Sequence, residues 1–308
     1  MQDKQQLWGT GAAIAAYLVW GFLPLYWKMV DNVPSGEVLA HRIIWSLGLM
    51  VLFLFLIGKL KGIIQEIIKV FSSRTSMLAI TAAAIFISCN WFLFIFSVNS
   101  DRVNEVSLGY YINPLINVLL ATLFLKEKLS VMEKAAFILA IIGVVVMTLS
   151  YGYLPWAGLG LALSFGIYGL IKKTLDVGAW AGLTIETLLM TPFALLFLAF
   201  FRADNEALFH YGTEINILLI VSGAATAVPL LLFAAGARRI SLSLLGFLQY
   251  LAPTIMLVLG VFVFRELFST QQLIAFVTIW IGLLLFTISR SNATFRQRKE
   301  KMKAEKAV

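Results

Sequence analysis

The sequence predicts an all-α polytopic membrane protein of ten transmembrane helices, and three observations predict it. The 308 residues are 60% hydrophobic and only 13% charged, with a mean hydropathy of +0.91, whereas ordinary soluble domains carry about 25% charged residues. The apolar residues are gathered into ten blocks of about 20, the length that crosses about 30 Å of hydrocarbon at 1.5 Å per residue. Lys and Arg then alternate in abundance from one interblock segment to the next.

The blocks run over 7–27, 34–57, 75–98, 103–125 and 131–150, then 154–171, 178–200, 215–236, 241–264 and 270–289. They leave no room for a sizeable soluble domain. The first block follows Lys4 and is rich in small residues, as a signal peptide would be, but it continues past Trp20 and has a counterpart later in the chain. With the N-terminus in the cytoplasm, 19 of the 24 Lys and Arg fall in inner segments. Lys172 and Lys173 are counted there as loop charges. The bias places both termini inside and requires an even number of spans. Segment 58–73 alternates Leu60, Ile63, Ile64, Ile67, Ile68 and Phe71 with Lys59, Lys61, Glu66 and Lys69; a short interfacial helix and a plain cytoplasmic connector both fit. The basic tail, 291–308, fits either a solvated end or a contact with anionic membrane lipid.

Several function classes are excluded. The net charge of +8 and pI of about 9.6 come from short loops and the tail, which is a topology signal and not a nucleic-acid surface. Cys89 is the single cysteine, so neither a disulfide framework nor a cysteine zinc site is expected. All five aspartates (Asp3, Asp31, Asp101, Asp176, Asp204) lie in loops or the tail, and the two histidines, His41 and His210, form no HExxH. No GxxxxGK[ST] loop occurs. The expectation is therefore no enzyme, no metal, no cofactor and no ATP-driven pump; a gradient would supply the energy.

The chain repeats itself. An offset of 139 pairs Tyr111 with Tyr250, Pro114 with Pro253, Glu127 with Glu266, Ser130 with Ser269, Gly143 with Gly282, Thr148 with Thr287 and Ser150 with Ser289. Earlier in the chain the offset is 145, pairing Trp20 with Phe165, Gly21 with Gly166 and Lys28 with Lys173. The expected domains are 1–150, 151–290 and the cytoplasmic tail 291–308. Five spans per copy is an odd number, so the copies enter the membrane with opposite polarity. Such inverted repeats are the architecture of alternating-access transporters, with the substrate site near the midplane.

A charge at the bilayer centre costs roughly 2.5–3.5 kcal/mol on insertion scales, so the polar groups inside the blocks are the candidates. Glu186 lies about 12 Å into the seventh block and His41 and Arg42 at a similar depth in the second, from the opposite side. The offset of 145 maps His41 onto Glu186. The expectation is a central polar site formed or flanked by His41, Arg42 and Glu186, with Glu37 one turn from His41 as an outer gate; the alternative is an interfacial cluster of Glu37, His41 and Arg42 with Arg42 snorkelling. A Glu186–His41 pair would also be a proton-coupling element. Asn90 with Trp91, then Tyr110, Asn113 and Asn117 at helical spacing, and Gln249 with Tyr250 read as a cavity lining or as interhelical hydrogen bonds.

The segments Trp20-Gly21, Glu37, His41-Arg42, Trp45-Ser46, Asn90-Trp91, 105–114 (EVSLGYYINP), Glu127, Glu186-Thr187, 226–230 (TAVPL), 246–254 (GFLQYLAPT) and Glu266 resemble, in order and spacing, the drug/metabolite transporter superfamily. The similarity is to its two-EamA-domain form of RarD type, over nearly the whole chain. The resemblance implies two inverted five-helix EamA repeats, a bacterial inner-membrane location and secondary transport, usually export. Relatives of this type are often labelled chloramphenicol-sensitivity proteins. Glu127 and Glu266 each follow a helix end, which suits a boundary cap. The reading is a secondary transporter of a small metabolite or drug-like solute. A channel or scramblase, or a non-transporting membrane component, are the alternatives.

Overall fold

The computed structural model describes residues 2–99, 103–151, 156–201, 211–263, 265 and 269–305. Among them the chain is helical, without strands, in twelve segments: α1 (Gln2–Lys28), α2 (Ser35–Leu56), α3 (Leu60–Ser72), α4 (Arg74–Asn99), α5 (Val103–Phe124), α6 (Val131–Tyr151), α7 (Trp156–Thr174), α8 (Ala179–Phe200), α9 (Thr213–Ala237), α10 (Leu242–Gln249), α11 (Leu251–Phe262) and α12 (Thr270–Glu305). Eight stretches are long and apolar enough to cross a membrane, the continuous α10–α11 pair (Leu242–Phe262) counting as one. The shorter apolar Gly109–Phe124 of α5 and the 19-residue α7 pack among them. Large apolar side chains such as Phe55, Leu149, Phe200 and Phe262 face outward, as lipid-facing positions do.

Segment 58–73 is a helix, α3. Its Ile63 and Ile67 pack against Ile80, Val177, Ala181 and Ile185, while Ile64, Ile68 and Phe71 stay exposed. The backbone of α12 continues through Glu305, in keeping with the strong helix formers there.

Packing repeats with the sequence. Gly143 of α6 approaches α12 so closely that a Cβ would meet the Ala275 carbonyl oxygen at 2.9 Å; Gly282 of α12 would meet Ala136 of α6 at the same 2.9 Å. Each helix places a glycine against the other's backbone, so the two can lie in contact. Ser130 and Glu133 cap α6 reciprocally, through Ser130 N–H to Glu133 Oε2 (2.7 Å) and Glu133 N–H to Ser130 Oγ (3.2 Å). Ser269 and Gln272 do the same for α12 at 2.9 and 3.2 Å, which is the capping-box arrangement. Among the described residues Lys126 and Arg265 are the non-glycine residues with positive φ, at 53° and 58°, and they too are 139 apart. Each uses the left-handed region to turn the chain at a helix end.

Successive spans alternate in direction, so the bundle has two ends. The near end, where α1 begins, holds the α7–α8 turn and the start of α10: Gly9 packs on Arg239 and Ile240, and Arg238 reaches Asp176 and the Val177 carbonyl. The far end holds Val30 and Val33 against Tyr211, Ile215 and Leu219. The largest core cluster lies toward the near end, where Tyr17, Tyr168 and Phe233 are fully buried with Leu242 and Leu245.

Candidate functional site

The polar side chains of the spans gather in three places, not one. At the far end, α2 carries Glu37, His41 and Arg42. Glu37 and His41 are four apart on one face, with 3% and 4% exposure, and His41 lies within the field of the Glu37 carboxylate. The Tyr211 hydroxyl donates to Glu37 Oε2 at 2.9 Å, tying α2 to the chain before α9. Arg42 points elsewhere. Its Nε donates to Thr226 Oγ1 of α9 at 2.9 Å. Its guanidinium carbon lies 4.6 Å from the Trp27 ring centroid and 5.7 Å from that of Trp91, with Tyr26 and Tyr110 nearby. The α2–α9 seam is tight at this level, because Gly223 abuts the backbone of Trp45 and Ser46, and Ser46 Oγ donates to the Gly223 carbonyl at 3.0 Å.

Toward the near end, Lys172 Nζ of α7 pairs with Glu186 Oε1 of α8 at 2.7 Å, with side-chain exposures of 5% and 3%. Tyr168, one turn before Lys172, donates its hydroxyl to Glu186 Oε2 at 3.1 Å. Both carboxylate oxygens are thus engaged, and Gly182 leaves room for the lysine, whose Nζ a Cβ would meet at 2.7 Å. Alongside, the Glu127 carboxylate accepts from the backbone N–H groups of Leu242 (2.8 Å) and Ser243 (3.1 Å). That satisfies the free donors at the start of α10. Lys173 Nζ holds the Ile240 carbonyl at 2.5 Å.

Between these lies a central crossing of α5 with α10 and α11. Asn117 Nδ2 donates to Gln249 Oε1 at 2.7 Å, Tyr111 Oη to the Pro253 carbonyl at 3.3 Å, and Tyr250 Oη to the Tyr111 carbonyl at 3.3 Å. Among the described residues the buried Oδ1 atoms of Asn113 and Asn117 have no hydrogen-bond partner. Asn90 Nδ2 spans α4 to α7, reaching the Leu161 carbonyl at 2.8 Å and Ser164 Oγ at 3.1 Å. Asn90, Gln249 and Tyr250 therefore make the interhelical bonds that were one of their two readings.

The expected meeting of Glu186 with His41 and Arg42 does not occur. α2 and α8 run antiparallel with Gly36 against Phe197. That register leaves Glu186 about 8 Å further along the axis than His41 and Arg42. The offset of 145 does relate the positions, but an inverted repeat carries a site near one end to the matching level near the other. Only groups at mid-depth would coincide. Lys172, read from sequence as a loop charge, is instead a buried partner. The signal was present: a carboxylate inside a span needs a cation, and the short link at 175–178 folds the last turn of α7 back beside α8. Tyr168, Trp27 and Thr226 had no comparable signal. Glu266 and His210 lie outside the described residues. Two surface pockets, about 260 Å³ by Lys4, Gln5, Trp8 and Arg239 and about 550 Å³ over 31–36 with Phe197, do not reach Arg42.

Comparison with known proteins agrees with this architecture. The EamA-like transporter family matches the chain twice, over residues 7–149 and 154–288. The chain is 43% identical to the uncharacterized transporter YojE of Bacillus subtilis (strain 168), covering 94% of this chain and 97% of that one. It is 41% identical to Protein RarD of Escherichia coli (strain K12), over 97% and 99%. A Pseudomonas aeruginosa protein named chloramphenicol-sensitive protein RarD is 26% identical over 90% and 92%. A solved crystal structure superposes with a TM-score of 0.71 at 18% identity, over 92% of this chain and 98% of the other, which speaks to the fold alone. The chain belongs to the EamA-like transporter family of the drug/metabolite transporter superfamily, among its RarD members, and is a multi-pass membrane transporter.

Proposed function

We propose that the protein is a secondary transporter that exports a small metabolite or drug-like solute across the bacterial cell membrane by alternating access. The near end and both termini then face the cytoplasm, as the distribution of Lys and Arg requires. One observation carries this reading. Each end of the bundle carries its own buried polar latch, Lys172–Glu186–Tyr168 with the Glu127 clamp at the near end and Glu37 with Tyr211 at the far end.

Inverted repetition supplies the complementary state. Contacts such as Gly143 on α12 and Gly282 on α6 have equivalents under exchange of the two copies, so opening one end and closing the other exchanges like contacts for like. Two states built this way lie close in energy, and a solute can shift between them. The near gate is the Lys172–Glu186 pair with the Glu127 clamp on α10; the far gate is Glu37 with Tyr211. The solute sits between them, against Arg42, Tyr110, Trp27 and Trp91. Pro114 and Pro253, which interrupt the helical hydrogen-bond ladder, place the bend at the central crossing.

Flux by purified protein in liposomes tests this. Saturable uptake with counterflow, in which unlabelled solute on one side drives labelled solute from the other, is expected. Flux without saturation or counterflow would make the protein a channel or scramblase. No flux of any solute that binds would leave it a non-transporting membrane component.

A further inference from the structure

We infer that the Arg42 site takes the carboxylate of a small, flat, singly charged organic anion; the inference rests on the transport reading above only for what happens after binding. Of the cations in the described spans that are not exposed, Arg42 alone lacks a compensating group among the described residues. Lys172 has Glu186, and Lys173 has the Ile240 carbonyl and the field of Glu127. Among the described residues no carboxylate stands within ion-pair distance of Arg42. Glu37, five positions earlier, lies about 140° around the helix, where the Tyr211 hydroxyl engages it.

The guanidinium is held and yet unfinished. Thr226 Oγ1 donates to the Ser222 carbonyl at 2.9 Å, which turns a lone pair toward Arg42 Nε. That bond and the two tryptophan faces fix the plane. The terminal Nη1 and Nη2 make no hydrogen bond to the described residues. A pair of parallel N–H donors matches a carboxylate in two-point fashion. An uncompensated cation inside a span is costly, so its retention marks a place for an anion.

The charge count selects the class. One free positive charge neutralises one negative charge; a phosphate ester dianion would leave a second one uncompensated where water is scarce. Trp27, Trp91, Tyr26 and Tyr110 around the cation offer apolar, aromatic walls to the rest of the molecule.

Binding to purified protein in detergent, by thermal shift and titration, tests this apart from transport. Phenylacetate and indole-3-acetate are the probes, with phenylacetamide as the neutral counterpart and phenyl phosphate as the dianion. The acids should stabilise the wild-type protein and phenylacetamide should not. Arg42→Gln should weaken binding of the acids by about tenfold or more, the loss expected of a charge-assisted hydrogen bond, and Arg42→Lys by less. Comparing acid with amide on the wild-type protein needs no variant and decides the matter if Arg42→Gln fails to fold. Equal binding of acid and amide, undiminished binding by Arg42→Gln, or no binding of either acid overturns the inference. Tighter binding of phenyl phosphate than of phenylacetate overturns the carboxylate. Arg42-dependent binding without liposome flux sinks the transport reading and leaves the anion site standing; flux of neutral solutes with no preference for acids does the reverse.

Discussion

Replacing Lys172 by Met removes the cation that faces Glu186 and leaves a carboxylate, 3% exposed, beside Tyr168, whose ring stacks on Phe233. Breaking a buried pair by deleting one partner costs about 3–5 kcal/mol, whereas replacing both by apolar groups of similar volume is close to neutral. Glu186→Gln should cost less than Lys172→Met, because the lysine sits in the last turn of α7 and its long stem can carry the ammonium to the near-end interface. Glu186, two turns into α8 on a short stem, has no such exit. The double variant Lys172→Met with Glu186→Leu should recover most of the loss. At about 2–4 °C per kcal/mol for a chain of this order, Lys172→Met should lower the thermal midpoint in detergent by about 10 °C and the double variant by far less. The near gate would be gone in the double variant, so its flux should rise in the absence of counterflow. If Lys172→Met, Glu186→Gln and the double variant melt together with the wild-type protein, the buried pair and the gate built on it are refuted.

Other consequences follow from particular contacts. Gly143→Leu and Gly282→Leu should each destabilise the α6–α12 seam by about 1–3 kcal/mol, since even a Cβ would meet carbonyl oxygen at 2.9 Å; denaturation midpoints of the single variants should match, as the reciprocal geometry requires. Glu127→Ala removes the acceptor for Leu242 and Ser243 N–H and should cost about 1 kcal/mol, read as a lower melting midpoint and as faster amide exchange at the start of α10. Cysteines placed in the 291–308 tail and before residue 5, in a Cys89→Ala background, should react with an impermeant reagent from the same side of the membrane; labelling from opposite sides would refute an even number of spans.

The class of fold was legible because lipid imposes a length and a composition on each span, and both are local properties. The duplication was legible for the same reason: Gly143 with Gly282, or Ser130 with Ser269, are pairs in a list of letters. Their consequence, a seam in which each copy's glycine meets the other's backbone, was not. Glu127 was readable as a boundary cap from its place after a helix end; the helix whose start it caps, α10, lies 115 positions on. The division of labour among the charged residues was the least legible part. Glu186 was found as a buried acid, but its partner was assigned to Arg42 and His41 on the strength of symmetry.

Sequence alone determined that this chain lives in a bilayer, that it is built of two copies of one module facing opposite ways, and which few ionisable groups it keeps among its apolar helices. Hydropathy, parity and the cost of burying charge suffice for those conclusions. Only the tertiary structure decided which charge neutralises which, because pairing depends on the sliding register of one helix against another. A shift of about 8 Å along α8, some five residues of rise, separates an acid that meets Arg42 from one that meets Lys172 and leaves Arg42 without a compensating charge among the described residues.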